Sequence, residues 1–357
     1  MSNEKAAAEA ARLEKKFGHK TGAIGSATFN MKVVPTGSLA LDYALGIGGW
    51  PLGHPVEVFG APDIGKSSVI GFSAIRSAQS LGLLCGMIAL EPGFDKDWAI
   101  KNGIDPDGLV IARPDNGEDA FEILHDWVQG DIVDFTVFDS IGAIIAAGER
   151  AEGAKNKAFG QSGLITGGVK KILTPVWKHQ KGLIFLNQQR QDTKARIPGM
   201  VESPGGEAVK HSAVIRVHLK STGSPFKAKV DDEEIVVGRT LVAVIKRNKL
   251  AEGTGKRAEF DFYSADSEES EVGIDVAKDV VATAIRTRVI SKAGAYYRHP
   301  SFPTDKHQFQ GKDAMYDWLL DNDKAIAKIR SEVLAVMEKK VKAFEEKKEK
   351  KDGKKDS

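Results

Sequence analysis

Residue types that bind a polyphosphate are concentrated in one loop of the chain. The loop reads Gly60 Ala61 Pro62 Asp63 Ile64 Gly65 Lys66 Ser67 and fits the pattern G-x-x-x-x-G-K-[ST] at every fixed position. In this pattern the glycines permit close approach of the backbone to the phosphates, the lysine reaches the β- and γ-phosphates, and the hydroxyl holds Mg²⁺. We therefore predict a nucleotide site formed by this loop together with Ser68.

The segments on both sides of the loop agree with that prediction. Residues 55–59 form a short apolar run bounded by Pro and Gly, which predicts a buried strand. Apolar residues then recur at helical spacing from Ser68 to Leu81, and Gly82 ends the pattern. A strand, a glycine loop and a helix together present unpaired N–H groups and a helix dipole to an anion. A chance match in a glycine-rich chain is the alternative, and it does not explain both flanks.

Three polar side chains, Glu91, Asp139 and Gln188, each end an apolar run that predicts a strand. These runs are residues 84–90, 135–138 and 183–187. Because ligands of parallel α/β sheets bind at the carboxyl ends of the strands, we expect all three side chains beside the phosphate loop.

Each of the three suits one task in nucleotide chemistry. Asp139 is placed to support the Mg²⁺ shell, and capping of the next helix is the alternative. Glu91 is placed to polarise an attacking water, and a solvent-facing loop acid is the alternative. The Gln188 amide can accept from water and donate to a γ-phosphate, which would report the bound nucleotide. Hydrogen bonding at the strand end is its alternative.

Alternation of strands and helices from residue 34 onward predicts an α/β fold with a mainly parallel sheet covered by helices on both faces. The pattern predicts, among others, helices at 117–129 and near 163–180 and a strand at 211–220. Residues 1–33 are expected to form an amphipathic helix, at 3–17, and a linker. That helix either docks on another subunit or packs on its own core. We expect the α/β core at 34–265, a small α+β domain at 266–336, and a lysine-rich disordered tail at 337–357.

Composition narrows the function only slightly. The 357 residues carry 51 basic and 49 acidic side chains, a net charge of +2, so contacts to DNA must come from local clusters. The single cysteine, Cys85, rules out an intramolecular disulfide and a cysteine zinc cluster. No signal peptide or long apolar run is visible, so we expect a cytoplasmic protein without a membrane partner.

An ordered series of motifs resembles the bacterial RecA recombinase family over residues 3–322. The series comprises the phosphate loop, Glu91, Gln188 and these segments: Pro35 to Asp42, Phe138 to Ser140, Phe185 to Asn187, Gly205 and Gly206, and Lys246 to Lys249. The resemblance implies a P-loop NTPase core of RecA type with ATP and Mg²⁺ as cofactors.

The same resemblance implies roles for individual residues. Lys66 and Ser67 match the phosphate and magnesium positions, Glu91 the catalytic glutamate, Asp139 the Walker B acid, and Gln188 the link between the γ-phosphate and a DNA-binding loop. Trp98 falls where the family stacks a tyrosine on adenine, and Asp95 matches a base-contacting acid. Arg247 and Lys249 match two lysines that reach the neighbouring subunit's ATP. The N-terminal helix matches an arm that packs on that neighbour.

Two polar, glycine-containing segments, 149–159 and 190–210, fall where the family has its DNA-contacting loops. The residues assigned to DNA contact are Arg150, Lys155, Lys157 and Phe159 in the first segment and Arg190, Lys194, Arg196, Ile197, Gly205, Gly206 and Lys210 in the second. Basic side chains on such loops suit contact with phosphates regardless of sequence, and Ile197 could wedge between bases. Surface loops without a ligand are the alternative.

Three departures from the family pattern bear on these assignments. Ala61 to Ile64 replace small and hydroxyl residues, so Ile64 is expected to alter nucleotide affinity or turnover. Phe159 stands where the family has a methionine. The tail 338–357 carries nine lysines against six acids, where the family's tail is acidic.

The function that follows is a DNA-dependent ATPase that forms helical homo-oligomeric filaments on single-stranded DNA and pairs it with a homologous duplex. A ring-forming helicase or motor of the same fold is one rival. An ATP-binding accessory protein that loads another recombinase is the other.

Overall fold

A computed structural model describes residues 2–17, 31–91, 93–145, 157–191, 201–203, 206–230, 233–266, 271–303 and 307–352. The helices are α1 Ser2–Phe17, α2 Leu39–Leu45, α3 Ser73–Ser80, α4 Lys96–Lys101, α5 Gly117–Gln129, α6 Lys157–Lys178, α7 Gly206–Ser212, α8 Val276–Thr287, α9 Lys312–Leu320 and α10 Asp323–Asp352. A π-helical segment, Lys66–Phe72, runs directly into α3.

Within the described residues, nine strands form the central sheet. In chain order its strands are β3 Pro55–Gly60, β4 Cys85–Ala89, β5 Leu109–Ala112, β6 Phe135–Asp139, β7 Gly182–Gln188, β10 Ile215–Val230, β11 Glu233–Asn248, β12 Arg257–Tyr263 and β13 Gly273–Ile274. The short pairs outside this sheet are β1 Val33–Val34 with β2 Trp50–Pro51, and β8 Arg190–Gln191 with β9 Val201–Glu202.

The spatial order of the sheet is β13-β12-β11-β10-β3-β7-β6-β4-β5. From β10 to β5 all neighbours pair in parallel, and β11, β12 and β13 extend this block with antiparallel pairs. Every residue of β3, β4 and β6 is buried, as strands covered on both faces require. The predicted α/β fold with a mainly parallel sheet is therefore confirmed.

Two apolar clusters cover the opposite faces of the sheet. The larger cluster contains residues of α2, the Lys66–Phe72 segment and α3, packed against Val56 and Val58 of β3. The other contains residues of α5 and α6, such as Phe121 and Ile172, packed against Phe138 and Phe185. Both layers hold the carboxyl ends of β3, β4, β6 and β7 at one edge.

A small C-terminal α+β unit follows the sheet, as predicted. Its three-stranded antiparallel sheet consists of β14 Ser291–Ala293, β15 Tyr296–Arg298 and β16 Gln308–Gln310. These strands share an apolar cluster with α8, α9 and α10 that includes Phe302 and Met315. Helix α10 continues from Asp323 to Asp352, so position 337 falls inside a helix.

Some element boundaries differ from the sequence-based prediction. Helix α6 begins at Lys157, not near residue 163, so the end of the first expected DNA segment is helical. The strand predicted from His211 begins at Ile215, because His211 belongs to α7. Among the described helices, none is long and apolar enough to cross a membrane.

Candidate nucleotide site

The phosphate loop joins β3 to the Lys66–Phe72 segment at the carboxyl edge of the sheet. Gly65 has φ +87°, a left-handed conformation that favours glycine. A Cβ at Gly60 would lie 2.6 Å from the Leu219 carbonyl oxygen of β10, so this glycine is needed for strand packing. Ile64 is buried in the core below the loop. The unusual Ile64 side chain therefore points away from the cleft that the loop borders.

Lys66 is buried with its ammonium held against the loop. Its Nζ donates to the carbonyl oxygen of Ala61 at 2.7 Å and to that of Gly60 at 3.4 Å. Burial lowers the pKa of Lys66, while the nearby carboxylates of Asp139 and Glu91 oppose that shift. Phosphate oxygens in the cleft would offer this cation stronger acceptors than carbonyl groups.

A hydroxyl and a carboxylate meet where the predicted magnesium site should be. Ser67 Oγ donates to Asp139 Oδ2 at 2.5 Å. Burial raises the pKa of Asp139 to about 6; the Ser67 hydrogen bond opposes this shift, and the Glu91 charge adds to it. Mg²⁺ prefers hard oxygen ligands and typically takes one or two carboxylates plus phosphates and waters. This pair fits Mg²⁺ on those grounds. The N-cap position of the next short helix is Ser140, whose side chain makes no capping hydrogen bond, so Asp139 is not the cap of that helix.

Glu91 and Gln188 are hydrogen-bonded to each other. Glu91 Oε1 accepts from Gln188 Nε2 at 3.1 Å and from Ser140 Oγ at 2.5 Å. These contacts hold the carboxylate at the lining of the cleft. Ser140 has no role in the sequence-based assignment, although it follows Asp139 directly at the strand end.

A cleft of about 390 Å³ unites most of the predicted nucleotide residues. The predicted residues that line it are Pro62, Asp63, Gly65, Lys66, Ser67, Ser68, Glu91, Trp98, Asp139 and Gln188. Trp98 is half-buried, and its Nε1 donates to Ser68 Oγ at 2.9 Å. Asp95 lies outside the lining, where its Oδ1 accepts from the Trp98 N–H at 2.7 Å and caps α4.

Arg247 and Lys249 lie at the other edge of the sheet. Arg247 lies level with Arg216 near the start of β10, and Arg216 lies level with Glu57 of β3. Three residues of strand, about 10 Å, separate Glu57 from Gly60 at the loop. Both cations contact the end of α7: Arg247 Nη1 donates to the Lys210 carbonyl, and Lys249 Nζ donates to the His211 carbonyl at 3.1 Å.

The structure describes only part of the two expected DNA-contacting segments. Arg150, Lys155, Lys194, Arg196, Ile197 and Gly205 lie outside the described residues. Lys157 and Phe159 fall in the first turn of α6, so they are helical where a loop was expected. Gly206 begins α7, and Lys210 in the same helix lies 3.5 Å from Glu207. Arg190 is exposed on β8, whose pairing with β9 holds the two ends of segment 191–201 together.

A buried ion pair near the site was missed by the sequence-based reasoning. Glu57 is the single charged residue of the apolar strand β3, Arg216 lies in the largely apolar start of β10 at residues 215–219, and the structure places the two together. Isolated charges of opposite sign in two such strands are a usable signal. They predict a pair only once the strands are known to be neighbours.

Comparisons with known proteins agree with this geometry. The family model described as the RecA N-terminal domain matches residues 5–267. A protein described as Protein RecA from Bacteroides thetaiotaomicron is 31% identical over 334 residues, covering 92% of this chain and 96% of the relative. The Protein RecA of Porphyromonas gingivalis is 32% identical, and the match covers 90% of this chain and 91% of the relative. The Protein RecA of Symbiobacterium thermophilum is 33% identical, and the match covers 90% of this chain and 89% of the relative. The chain therefore belongs to the RecA family, whose members bind ATP and DNA and act in DNA recombination and repair.

Proposed function

We propose that this protein is a DNA-dependent ATPase that assembles as a helical filament on single-stranded DNA and catalyses homologous pairing and strand exchange. One observation carries the proposal: a single cleft holds the phosphate loop, the Ser67–Asp139 pair and the hydrogen-bonded Glu91 and Gln188. The cleft therefore combines the groups that bind a triphosphate with a general base, Glu91, and with Gln188, which responds to the γ-phosphate. The family's role in recombination supplies the DNA substrate.

The cleft residues divide the work of phosphoryl transfer. Lys66 and the N–H groups of the loop bind the phosphates, and Trp98 stacks on the adenine with Asp95 holding the start of its helix. Ser67 and Asp139 would hold Mg²⁺, which would neutralise charge that develops on the phosphates. Glu91 accepts a proton from the attacking water as general base.

Gln188 connects this chemistry to DNA binding. Its amide donates to Glu91 and stands at the end of β7, directly before the second DNA-contacting segment. A γ-phosphate in the cleft competes for that amide, so the segment after Gln188 takes different positions with ATP and with ADP. We propose that segments 149–159 and 190–210 contact the DNA backbone.

The site is completed by a second copy of the chain. Arg247 lies about 10 Å from its own phosphate loop along the sheet, and Lys249 lies farther from it, so both cations serve a neighbour's nucleotide. Two different surfaces then meet in a head-to-tail contact, which generates a ring or an open helix. Helix α1 is the arm that packs on the adjacent protomer, and the division of the chain at residues 33 and 265 follows these roles. The boundary expected at 336 falls inside α10, so the C-terminal unit extends beyond it. The filament acts in the cytoplasm.

ATP turnover with and without single-stranded DNA tests the proposal. We expect DNA to stimulate hydrolysis by the wild-type protein, and Glu91→Gln to lower kcat by roughly 100- to 1,000-fold while nucleotide binding persists, because a general base supplies that much. Glu122→Gln, an exposed acid on α5, is the matched control and should retain wild-type turnover.

Two further readouts separate the rival functions. With a non-hydrolysable ATP analogue and single-stranded DNA, negative-stain images should show helical filaments, and strand exchange should occur on homologous substrates. Closed rings with no strand exchange would instead establish a motor. Wild-type protein that binds ATP without any DNA-stimulated turnover would establish an accessory role.

A further inference from the structure

On one face of the central sheet, the neighbouring strands β3 and β10 carry buried charged and polar side chains. Glu57 of β3 lies level with Arg216 of β10, and two residues further along Phe59 lies level with His218. Alternate residues of the same strands point into the apolar cluster on the opposite face. Burying charges is costly unless they are paired and hydrogen-bonded, so this arrangement calls for a role beyond packing.

The charged side chains form a connected set of hydrogen bonds. Arg216 Nε donates to Glu57 Oε2 at 2.6 Å, and Asn187 Nδ2 donates to Glu57 Oε1 at 3.0 Å. Arg216 Nη2 donates to Ser203 Oγ at 3.0 Å. All four residues are buried, with 9% or less of each exposed. We call Asn187, Glu57, Arg216 and Ser203 the buried relay.

The buried relay connects the strand before the phosphate loop, the end of β7 and the second segment expected to contact DNA. Glu57 lies on β3, which leads into the phosphate loop at Gly60. Asn187 directly precedes Gln188, whose amide donates to Glu91. Ser203 belongs to the second segment expected to contact DNA and follows β9. A displacement at either end therefore changes the geometry of the same ion pair.

Aromatic contacts support Arg216 from one side. Its guanidinium lies 5.1 Å from the ring centroid of Phe59, and Phe59 stacks on His218 with centroids 4.7 Å apart and planes 5° apart. His218 Nε2 and Gln189 Oε1 are 2.8 Å apart, and the Gln189 N–H donates to the Gly60 carbonyl at 2.8 Å. The guanidinium is thus held in one orientation, with its fork aimed at Glu57 and Ser203.

We infer that the hydrogen bond from Arg216 to Ser203 couples nucleotide binding to DNA binding, with Arg216 and Ser203 acting as positioning residues. Neither residue lines the nucleotide cleft. Arg216 instead fixes where the end of the second DNA segment lies relative to β3 and β7. This inference rests on the proposed function, because it needs DNA affinity that depends on the bound nucleotide.

The test measures that dependence directly. Fluorescence anisotropy of a labelled oligo(dT) gives the Kd for single-stranded DNA with Mg²⁺ and a non-hydrolysable ATP analogue, and again without nucleotide. The ratio of the two values is the coupling factor, which linkage makes equal for both ligands. Nucleotide affinity without DNA and the urea midpoint of unfolding are measured on the same samples.

Three substitutions isolate the hydrogen bond. Ser203→Ala removes the acceptor, Ser203→Thr keeps a hydroxyl, and Arg216→Lys keeps the charge beside Glu57 but loses the planar fork. We expect Ser203→Ala and Arg216→Lys each to lower the coupling factor by roughly 5- to 10-fold, within the range of known couplings, and Ser203→Thr to retain it. The double variant should have a coupling factor no lower than that of either single variant, because both substitutions break the same hydrogen bond.

Thr240→Ala is the matched control. It removes a hydroxyl that donates to Asp261 Oδ1 at 2.7 Å on the same sheet, away from the buried relay. Its coupling factor should equal that of the wild type.

The outcomes separate this inference from the proposed function. A lower coupling factor in Ser203→Ala, with nucleotide affinity and unfolding midpoint close to those of the wild type and of Thr240→Ala, supports the inference. A wild-type coupling factor in Ser203→Ala, or a fall that Ser203→Thr does not prevent, overturns it and leaves the proposed function intact. A wild-type protein whose DNA affinity ignores the nucleotide overturns the proposed function and this inference with it.

Discussion

At the residue level, we propose that Trp98 stacks on the adenine. Its indole borders the cleft, where Nε1 donates to Ser68 Oγ, and its backbone N–H donates to Asp95 Oδ1. We expect Trp98→Ala to raise the KM for ATP by roughly 3- to 10-fold, the equivalent of a lost stacking contact. Trp98→Tyr keeps a π-face and should retain most of the affinity. Steady-state ATP hydrolysis measures both.

Trp177→Ala provides the control for loss of an indole, because Trp177 is 39% exposed and does not line the cleft. Equal KM values for Trp98→Ala and Trp177→Ala would show that Trp98 does not bind the base.

Individual site residues could be predicted where their position at the end of a strand determines their place in the fold. Glu91, Asp139 and Gln188 each end an apolar run, and the carboxyl ends of parallel strands meet at one edge. The Glu57–Arg216 pair could not be predicted in this way. Its members are 159 residues apart in sequence, and the residues of neither strand indicate that β10 lies beside β3.

At the scale of elements, a carboxylate from the C-terminal unit caps a helix of the core. Asp279 of α8 accepts from the N–H groups of Leu39 at 2.5 Å and Ala40 at 3.1 Å, while Ser38 Oγ accepts from that of Leu41 at 3.2 Å. The first three N–H groups of α2 are thus satisfied. The junction therefore ties α8 to the core through buried hydrogen bonds.

Two buried acids make this junction sensitive to pH. Burial raises the pKa of Asp42 to about 7, helped by the Asp279 charge and opposed by the hydrogen bonds from Thr36 and by Arg330. Burial likewise raises the pKa of Asp279 to about 6. Between the usual carboxyl pKa and these values the folded protein binds more protons than the unfolded chain. Its free energy of unfolding therefore falls as pH rises through this window.

We expect Asp42→Asn to reduce the fall in the free energy of unfolding as pH rises. Between pH 5 and pH 8 the wild-type free energy of unfolding should fall by about 1 to 3 kcal/mol more than that of the variant, because one titrating group is gone. Urea denaturation at both pH values measures the difference. Parallel pH dependence in the two proteins would show that Asp42 does not titrate in this range.

Element existence could be predicted better than element boundaries. Asn116 caps α5, and the predicted span 117–129 is the observed one, because cap and apolar period agree. The segment 163–180 was predicted as a helix, but α6 begins at Lys157, since its glycines weaken the local signal. The strand predicted at 211–220 extends to Val230, because pairing with β11 supports residues whose own pattern is polar.

At the scale of the molecule, the tail departs from the family's charge pattern. Residues 338–357 carry nine lysines and six acids, so the tail cannot compete with DNA for a basic surface. We expect deletion of 338–357 to leave the Kd for single-stranded DNA unchanged or to weaken binding, measured by anisotropy at two salt concentrations. A clear gain in affinity would show that the tail is inhibitory.

A shorter deletion, of residues 343–357, separates charge from packing. It retains Lys340, whose ammonium lies 4.5 Å from the ring centroid of Tyr43 on α2. Equal DNA affinity of the two truncated proteins would assign any effect to the lysines beyond residue 342.

We propose that each ATP is hydrolysed between two protomers, and mixing two inactive variants tests this shared site. Glu91→Gln lacks the general base, and Arg247→Ala lacks the cation offered to the neighbour. In an equal mixture about one head-to-tail contact in four joins an intact phosphate-loop half to an intact Arg247 half. We predict DNA-stimulated hydrolysis by the mixture well above the sum of the separate variants. A rate equal to that sum would contradict the shared site. It would also contradict the proposal that ATP bound between protomers controls DNA binding.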